Sequence, residues 1–124
     1  MGFIISFDET LSIIKPFITI TNNSDIPTYP EMLIKKYSND GDVVITNLNT
    51  GQIFKLTDLK NEELIYINND NETITSDIAN SNPEDKFNNQ FLYFIRGTNT
   101  LKTDGNCKLK FRYRERFLPH GGGD

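Results

Sequence analysis

Apolar and polar residues alternate with the two-residue period of a strand along most of this chain, in short segments separated by turn-forming residues. Residues 3–7 (FIISF) and 13–21 (IIKPFITIT) come first. Pro16 cannot donate to a ladder and marks an edge or a bulge in the second. Residues 32–37 (MLIKKY) and 42–47 (DVVITN) flank Ser38-Asn39-Asp40-Gly41, where Asp-Gly suits the positive φ of a tight hairpin. Residues 52–57 (QIFKLT) follow the turn Asn49-Thr50-Gly51, and 63–69 (ELIYINN) and 72–77 (ETITSD) join through an Asn/Asp-rich bend. Residues 91–95 (FLYFI) are apolar at both parities, the pattern of a strand covered on both faces. Asp104-Gly105 then turns 98–103 (TNTLKT) into the last segment, CKLKFRYRERF, residues 107–117.

No window sustains a helical period, and residues 56–64 (LTDLKNEEL) leave room for one helical turn at most. Residues 79–90 are loop by composition, with Pro83 stopping any regular element. Short strands at this spacing predict an all-β protein, an antiparallel two-sheet β-sandwich. The parities place Phe54, Leu56, Ile65, Ile67, Leu109, Phe111 and Tyr113 inside.

The chain has 124 residues, 36% of them apolar, enough for one domain with a core that needs no disulfide or metal staple. That domain is expected over residues 1–118, with 1–16 as its leading strand and approach, and a disordered glycine-rich tail at 119–124. The single cysteine, Cys107, cannot form an internal disulfide and falls at an apolar position, so a buried thiol is expected. No apolar run reaches the roughly 18 residues of a membrane helix, and no membrane partner is expected.

Chemistry is sparse. The one histidine, His120, lies in the glycine-rich tail, which cannot hold the geometry of a general base. The adjacent carboxylates Asp8-Glu9, Glu62-Glu63 and Glu84-Asp85 sit beside turns and read as solvated turn charge. Oxygen-bearing residues at 68–72 resemble the start of a calcium loop but lack the glycine and the distant glutamate of an EF-hand. The expectation is therefore no enzyme, no catalytic residue, no cofactor and no metal.

Charge singles out residues 107–117. Lys108, Lys110, Arg112, Arg114 and Arg116 share one strand face, with Glu115 on the other. Of thirteen cations and seventeen carboxylates in the chain, five cations and one carboxylate lie here, leaving eight cations against sixteen carboxylates elsewhere. Nucleic-acid binders carry positive charge as a domain-wide footprint, so this acidic chain is not expected to bind nucleic acid. The stripe is either a solvated face, partly neutralised by carboxylates on neighbouring strands, or a protein-contact face complementary to an acidic partner. A third possibility is a glycan module with Tyr66, opposite in parity to Ile65 and Ile67, as the exposed stacking ring.

Residues 17–35, 43–68 and 91–118 together resemble the C-terminal half of the distal tail proteins of long-tailed bacteriophages. The resemblance is carried by Tyr29-Pro30, by Ile45, Asn47, Thr50 and Gly51 in an I-x-N-x-x-T-G element, by Gly97, Asn99 and Leu101, and by Tyr113, Arg114, Arg116 and Phe117 in a closing Y-R-x-R-[FY]. Glu62 stands where the pattern has glycine and Asn68 where it has aspartate, so no role of that aspartate carries over. The family's N-terminal domain is not in this sequence.

The resemblance implies a galectin-like, jelly-roll type sandwich with a non-enzymatic structural role, without the tryptophan and usable histidine of a galectin sugar site. It implies an outer domain at the virion tail tip, made in the host bacterial cytoplasm, in phage or prophage. The implied partners are other tail proteins: the tail tube, a tail-associated lysin, or a fibre or receptor-binding protein of the baseplate. The whole protein would form a hexameric ring and the isolated domain a monomer. A glycan-binding module for host cell-wall polysaccharide on the same fold is the alternative.

Overall fold

The computed structural model describes residues 9–12 and 17–115. They form nine strands: β1 Glu9–Ser12, β2 Phe17–Asn22, β3 Glu31–Lys36, β4 Gly41–Asn47, β5 Ile53–Leu59, β6 Leu64–Asn68, β7 Thr73–Ser76, β8 Gly97–Asp104 and β9 Cys107–Arg112. One turn of 3-10 helix, Pro83–Lys86, falls in the 79–90 loop, where proline favours a helical start. Residues 56–64, the stretch with room for a helical turn, are strand and turn instead. The expected strand at 3–7, the Pro16 irregularity and the 119–124 tail lie outside the described residues, as do Arg116 and His120.

A five-stranded sheet runs β1-β9-β3-β6-β7 and a four-stranded sheet β2-β8-β4-β5, every pairing antiparallel. The chain is thus the two-sheet β-sandwich its alternation predicts. Met32, Ile34, Ile65, Ile67, Leu109 and Phe111 from one sheet meet Val43, Ile45, Phe54, Leu56 and Leu101 from the other, all at or near zero exposure. Tyr113 is only half-buried, packed at the core's margin.

Two turns do not form the hairpins that their sequences suggest. Residues 32–37 and 42–47 form no hairpin: β3 pairs with β6 and β9, β4 with β5 and β8, so the Ser38–Gly41 corner carries the chain from one sheet to the other. The positive φ there falls on Ser38, at 73°, rather than on Gly41. The Asp104-Gly105 turn also crosses between sheets. A Cβ on Gly105 would lie 2.1 Å from the Asp42 carbonyl oxygen, so the two corners are packed against each other and only glycine fits. Turn residues set a reversal of direction; the sheet that receives the next strand is chosen by side chains far away in sequence.

Residues 91–95 are the larger surprise. Apolar on both faces, they are not a strand: one bridge, Thr28 to Phe94, is their sole pairing. Leu92 and Phe94 are fully buried at one end of the sandwich, and buried backbone must find partners. Amide side chains supply them. The Leu92 N–H donates to Asn69 Oδ1 (2.8 Å) and the Tyr93 N–H to Gln52 Oε1 (3.2 Å), while Gln52 Nε2 donates to the Phe91 carbonyl. Asn47 Nδ2 reaches the Tyr93 carbonyl (3.3 Å) and Asn22 Nδ2 the Phe94 carbonyl (3.1 Å). Asn99 brackets Ile95, accepting from its N–H (2.9 Å) and donating to its carbonyl (2.8 Å).

Asn22, Asn47 and Asn99 are inward-facing strand positions with no exposure, where alternation calls for apolar residues. Leaving a buried donor or acceptor unmet costs about 1–3 kcal/mol. Asn99→Ala orphans both polar groups of Ile95 and should lower unfolding stability by several kcal/mol, a large share of the roughly 5–15 kcal/mol typical of a domain. Thr98→Ala, at an exposed position one residue earlier, should change it little. Equal denaturation midpoints for the two variants would show that the amide scaffold contributes little.

Candidate functional site

Strand β9 is an interior strand, paired with β1 on one side and β3 on the other, so its basic positions lie in the middle of the outer face of the five-stranded sheet. The stripe does not act as one unit. Lys108 and Lys110 are exposed; Lys108 sits opposite Lys35, also exposed, and Lys110 opposite Leu33. Lys35, Lys108 and Lys110 therefore form one cation cluster, and no ion pair among the described residues neutralises it. Lys35 was legible in the 32–37 alternation, but its neighbour across the sheet was not.

Arg112 is different. It sits opposite Glu31, donating from Nε (2.8 Å) and Nη2 (2.6 Å) to Glu31 Oε2, while the Tyr66 hydroxyl donates to Glu31 Oε1. Neutralisation by a neighbouring strand, one reading of the stripe, is thus seen at Arg112, and among the described residues no ion pair provides it at the lysines. The strand ends there. Tyr113 turns its ring onto Phe94, edge-on at 5.5 Å, and the Glu115 carboxylate accepts from the Asn23 N–H at 2.7 Å. Arg114 is exposed outside any strand, and Arg116 lies outside the described residues.

Tyr66 is half-buried on the outer face, its hydroxyl engaged by Glu31. Burial first, then the hydrogen bond to and charge of Glu31, raise its pKa above the usual tyrosine value. It is not the exposed ring the alternation suggested. That position belongs to Tyr29, 46% exposed and backed by Tyr93 at 6.0 Å between ring centres. Tyr29, Glu31, Asn68, Asp70, Arg112 and Arg114 converge on an open cleft of about 550 Å³. The signal in the sequence was the Tyr29-Pro30 pair, which the alternation did not single out.

At the opposite end of the sandwich, two charged groups are buried. Lys36, 2% exposed, donates from Nζ to the Tyr37 and Asn106 carbonyls, each at 3.1 Å, tying the two inter-sheet corners together. Glu63, expected as solvated turn charge, is 1% exposed: Oε1 accepts from the Lys60 N–H (2.8 Å) and Oε2 from the Ser76 (2.6 Å) and Ser81 (3.4 Å) hydroxyls. Its neighbour Glu62 and the pair Glu84-Asp85 are exposed, as expected of turn charge. In the 68–72 bend, Asn68 Oδ1 accepts from the Asp70 and Asn71 N–H groups, a turn-forming use of oxygens considered for calcium.

Cys107 is the buried thiol its parity predicted. Burial pushes its pKa up to about 11, against an opposing pull from Lys36. A folded-state pKa raised above the unfolded value contributes stability that is complete below the unfolded pKa and lost as pH rises through the folded one. Between pH 9 and about 11, stability should fall more steeply in the parent than in Cys107→Ala. Native Cys107 should also resist a thiol reagent at pH 8, since the thiolate is the reactive form. Rapid labelling without unfolding would contradict that burial. On the surface, Arg112→Glu places two carboxylates directly opposite each other and should cost roughly 1 kcal/mol, whereas Lys110→Glu opposite Leu33 should cost little, as chemical denaturation of both would show.

With the geometry in place, comparison with known proteins gives the class. Residues 4–113 match the family described as phage tail C-terminal domain, and the chain belongs to that family. It is also 30% identical over 113 residues to the SPbeta prophage-derived uncharacterized protein YomH of Bacillus subtilis (strain 168). That alignment covers 90% of this chain and 44% of the relative, so the chain spans less than half of the relative's length. No solved structure matches the chain.

Proposed function

We propose that this chain is the outer β-sandwich of a distal tail protein, a non-enzymatic structural domain at the tip of a phage or prophage tail that joins the tail tube to baseplate or fibre components. Membership of the phage tail C-terminal domain family supports the tail role. The order of Tyr29-Pro30, the Ile45 to Gly51 element and the Gly97-x-Asn99 turn supports the distal position. The turn residues behave as folding residues should: Gly51 and Gly97 take positive φ, at 77° and 91°, and Asn47 and Asn99 bond backbone groups.

The observation that carries the contact is the trio Lys35, Lys108 and Lys110 on the outer face of the five-stranded sheet, with no ion pair among the described residues, on a chain of net charge −4. Like charges held together without carboxylates cost stability mildly when solvated and are complementary to an acidic protein surface. The partner is thus an acidic neighbour in the tail: tube, tail-associated lysin, or fibre protein. In this reading the ring is built by the rest of a longer protein, the complete assembly is a hexamer, and the isolated domain is monomeric. Its place is the virion tail tip, after synthesis in the host cytoplasm, with no role for nucleic acid or membrane.

Lys108→Glu with Lys110→Glu, introduced into the full-length gene of an inducible phage, should leave the domain's melting temperature nearly unchanged. The yield of complete particles should fall by about tenfold or more if charge complementarity at this face supports assembly. Normal particle yield from the double variant would remove the trio as a contact face.

A further inference from the structure

We infer that the cleft beside Tyr29 is a binding site for an uncharged saccharide, with the Tyr29 ring as its stacking platform. This goes beyond the structural role and stands or falls independently of it.

Shape comes first. The hollow of about 550 Å³ continues past Tyr29, Asp70 and Arg114 into a smaller one of about 100 Å³ walled by Ile26 and Pro27, so the site is a groove with room for more than one ring. Its size lies in the range of about 300–1,000 Å³ usual for small-ligand sites. The platform is fixed: Tyr29 is held from behind by Tyr93, whose N–H is anchored by Gln52, yet 46% of it remains open to solvent. An exposed aromatic face is a surface on which the apolar C–H face of a pyranose can stack.

The polar lining narrows the ligand. Glu31 is locked between Arg112 and the Tyr66 hydroxyl, so its carboxylate is oriented before any ligand arrives. Among the described residues that line the groove, the two cations Arg112 and Arg114 are matched in number by the two carboxylates Glu31 and Asp70, so this lining sums to no net charge. A polyanion gains nothing overall from such a lining, and its place on this face is the lysine trio, whose members do not line the cleft. Sugar hydroxyls both donate and accept, and the cleft that Tyr29 lines also holds donors (Arg112, Arg114, Asn68) and acceptors (Glu31, Asp70). Tyr66 acts through Glu31 as a positioning residue rather than as the stacking ring.

The test is a titration of the isotope-labelled domain, followed by amide NMR, with short oligosaccharides of glucose, galactose and N-acetylglucosamine, and with oligogalacturonate as the anionic comparison. At least one uncharged series should give saturable shifts at Tyr29, Asp70 and Arg114. Tyr29→Ala should weaken it about tenfold or more at an unchanged melting temperature, and Tyr66→Phe should weaken it less. Lys108→Glu with Lys110→Glu should leave it unaltered. The inference is overturned by no saturable shift in any of the three uncharged series, by binding that survives Tyr29→Ala intact, or by a preference for oligogalacturonate that is lost in the lysine variant.

Discussion

A buried stretch of backbone that belongs to no sheet is the constraint on which this molecule depends. Residues 91–95 pass through one end of the sandwich with Leu92 and Phe94 fully enclosed, and neither neighbouring sheet offers them a ladder. Five amide side chains stand in for the missing strand: Asn69 on the side of the five-stranded sheet, Asn22, Asn47, Gln52 and Asn99 on the side of the four-stranded one. Because the same segment is bonded from both sheets, it fixes their separation at that end. An apolar substitute at any of these positions would gain burial and orphan backbone groups, and the orphaned groups dominate.

The surface chemistry is built outward from that segment. Phe94 carries the ring of Tyr113, and Tyr93 carries the ring of Tyr29. The Thr28 to Phe94 bridge sets the approach to Pro30, whose carbonyl accepts from Asn69, and Glu31 follows at the start of β3. Glu31 then holds Arg112 and Tyr66. A disturbance of the amide scaffold is therefore transmitted to the cleft through a short chain of packed rings and hydrogen bonds, while the lysine trio, resting on the regular register of β3 and β9, is insulated from it.

The opposite end is closed with charge. Lys36 joins the two inter-sheet corners through carbonyls, and Glu63 ties the β5–β6 turn to Ser76 and Ser81. A buried charge is tolerated only when its hydrogen-bonding capacity is met, and loop backbones with no ladder of their own supply that need. The exposed carboxylates lie mostly in turns, and the exposed lysines of β3 and β9 lie mid-sheet, so the positive patch is a small area on an otherwise acidic body.

Alternation alone determined the fold class, most strand positions, the inward set from Phe54 to Phe111 and the burial of Cys107, because a period of two and a turn every few residues are local properties of the chain. It placed Lys108 and Lys110 outside correctly for the same reason. Tertiary structure decided everything that depends on which strands become neighbours. It made the Ser38–Gly41 and Asp104-Gly105 turns into inter-sheet corners, paired Arg112 with Glu31, joined Lys35 to the lysines of β9, buried Lys36 and Glu63, and replaced an expected strand at 91–95 with an amide-bonded segment. Residues such as Asn22 and Phe94, or Asn47 and Tyr93, are tens of positions apart and carry no shared local signal. Their complementarity exists only once the two sheets have closed over the same buried backbone.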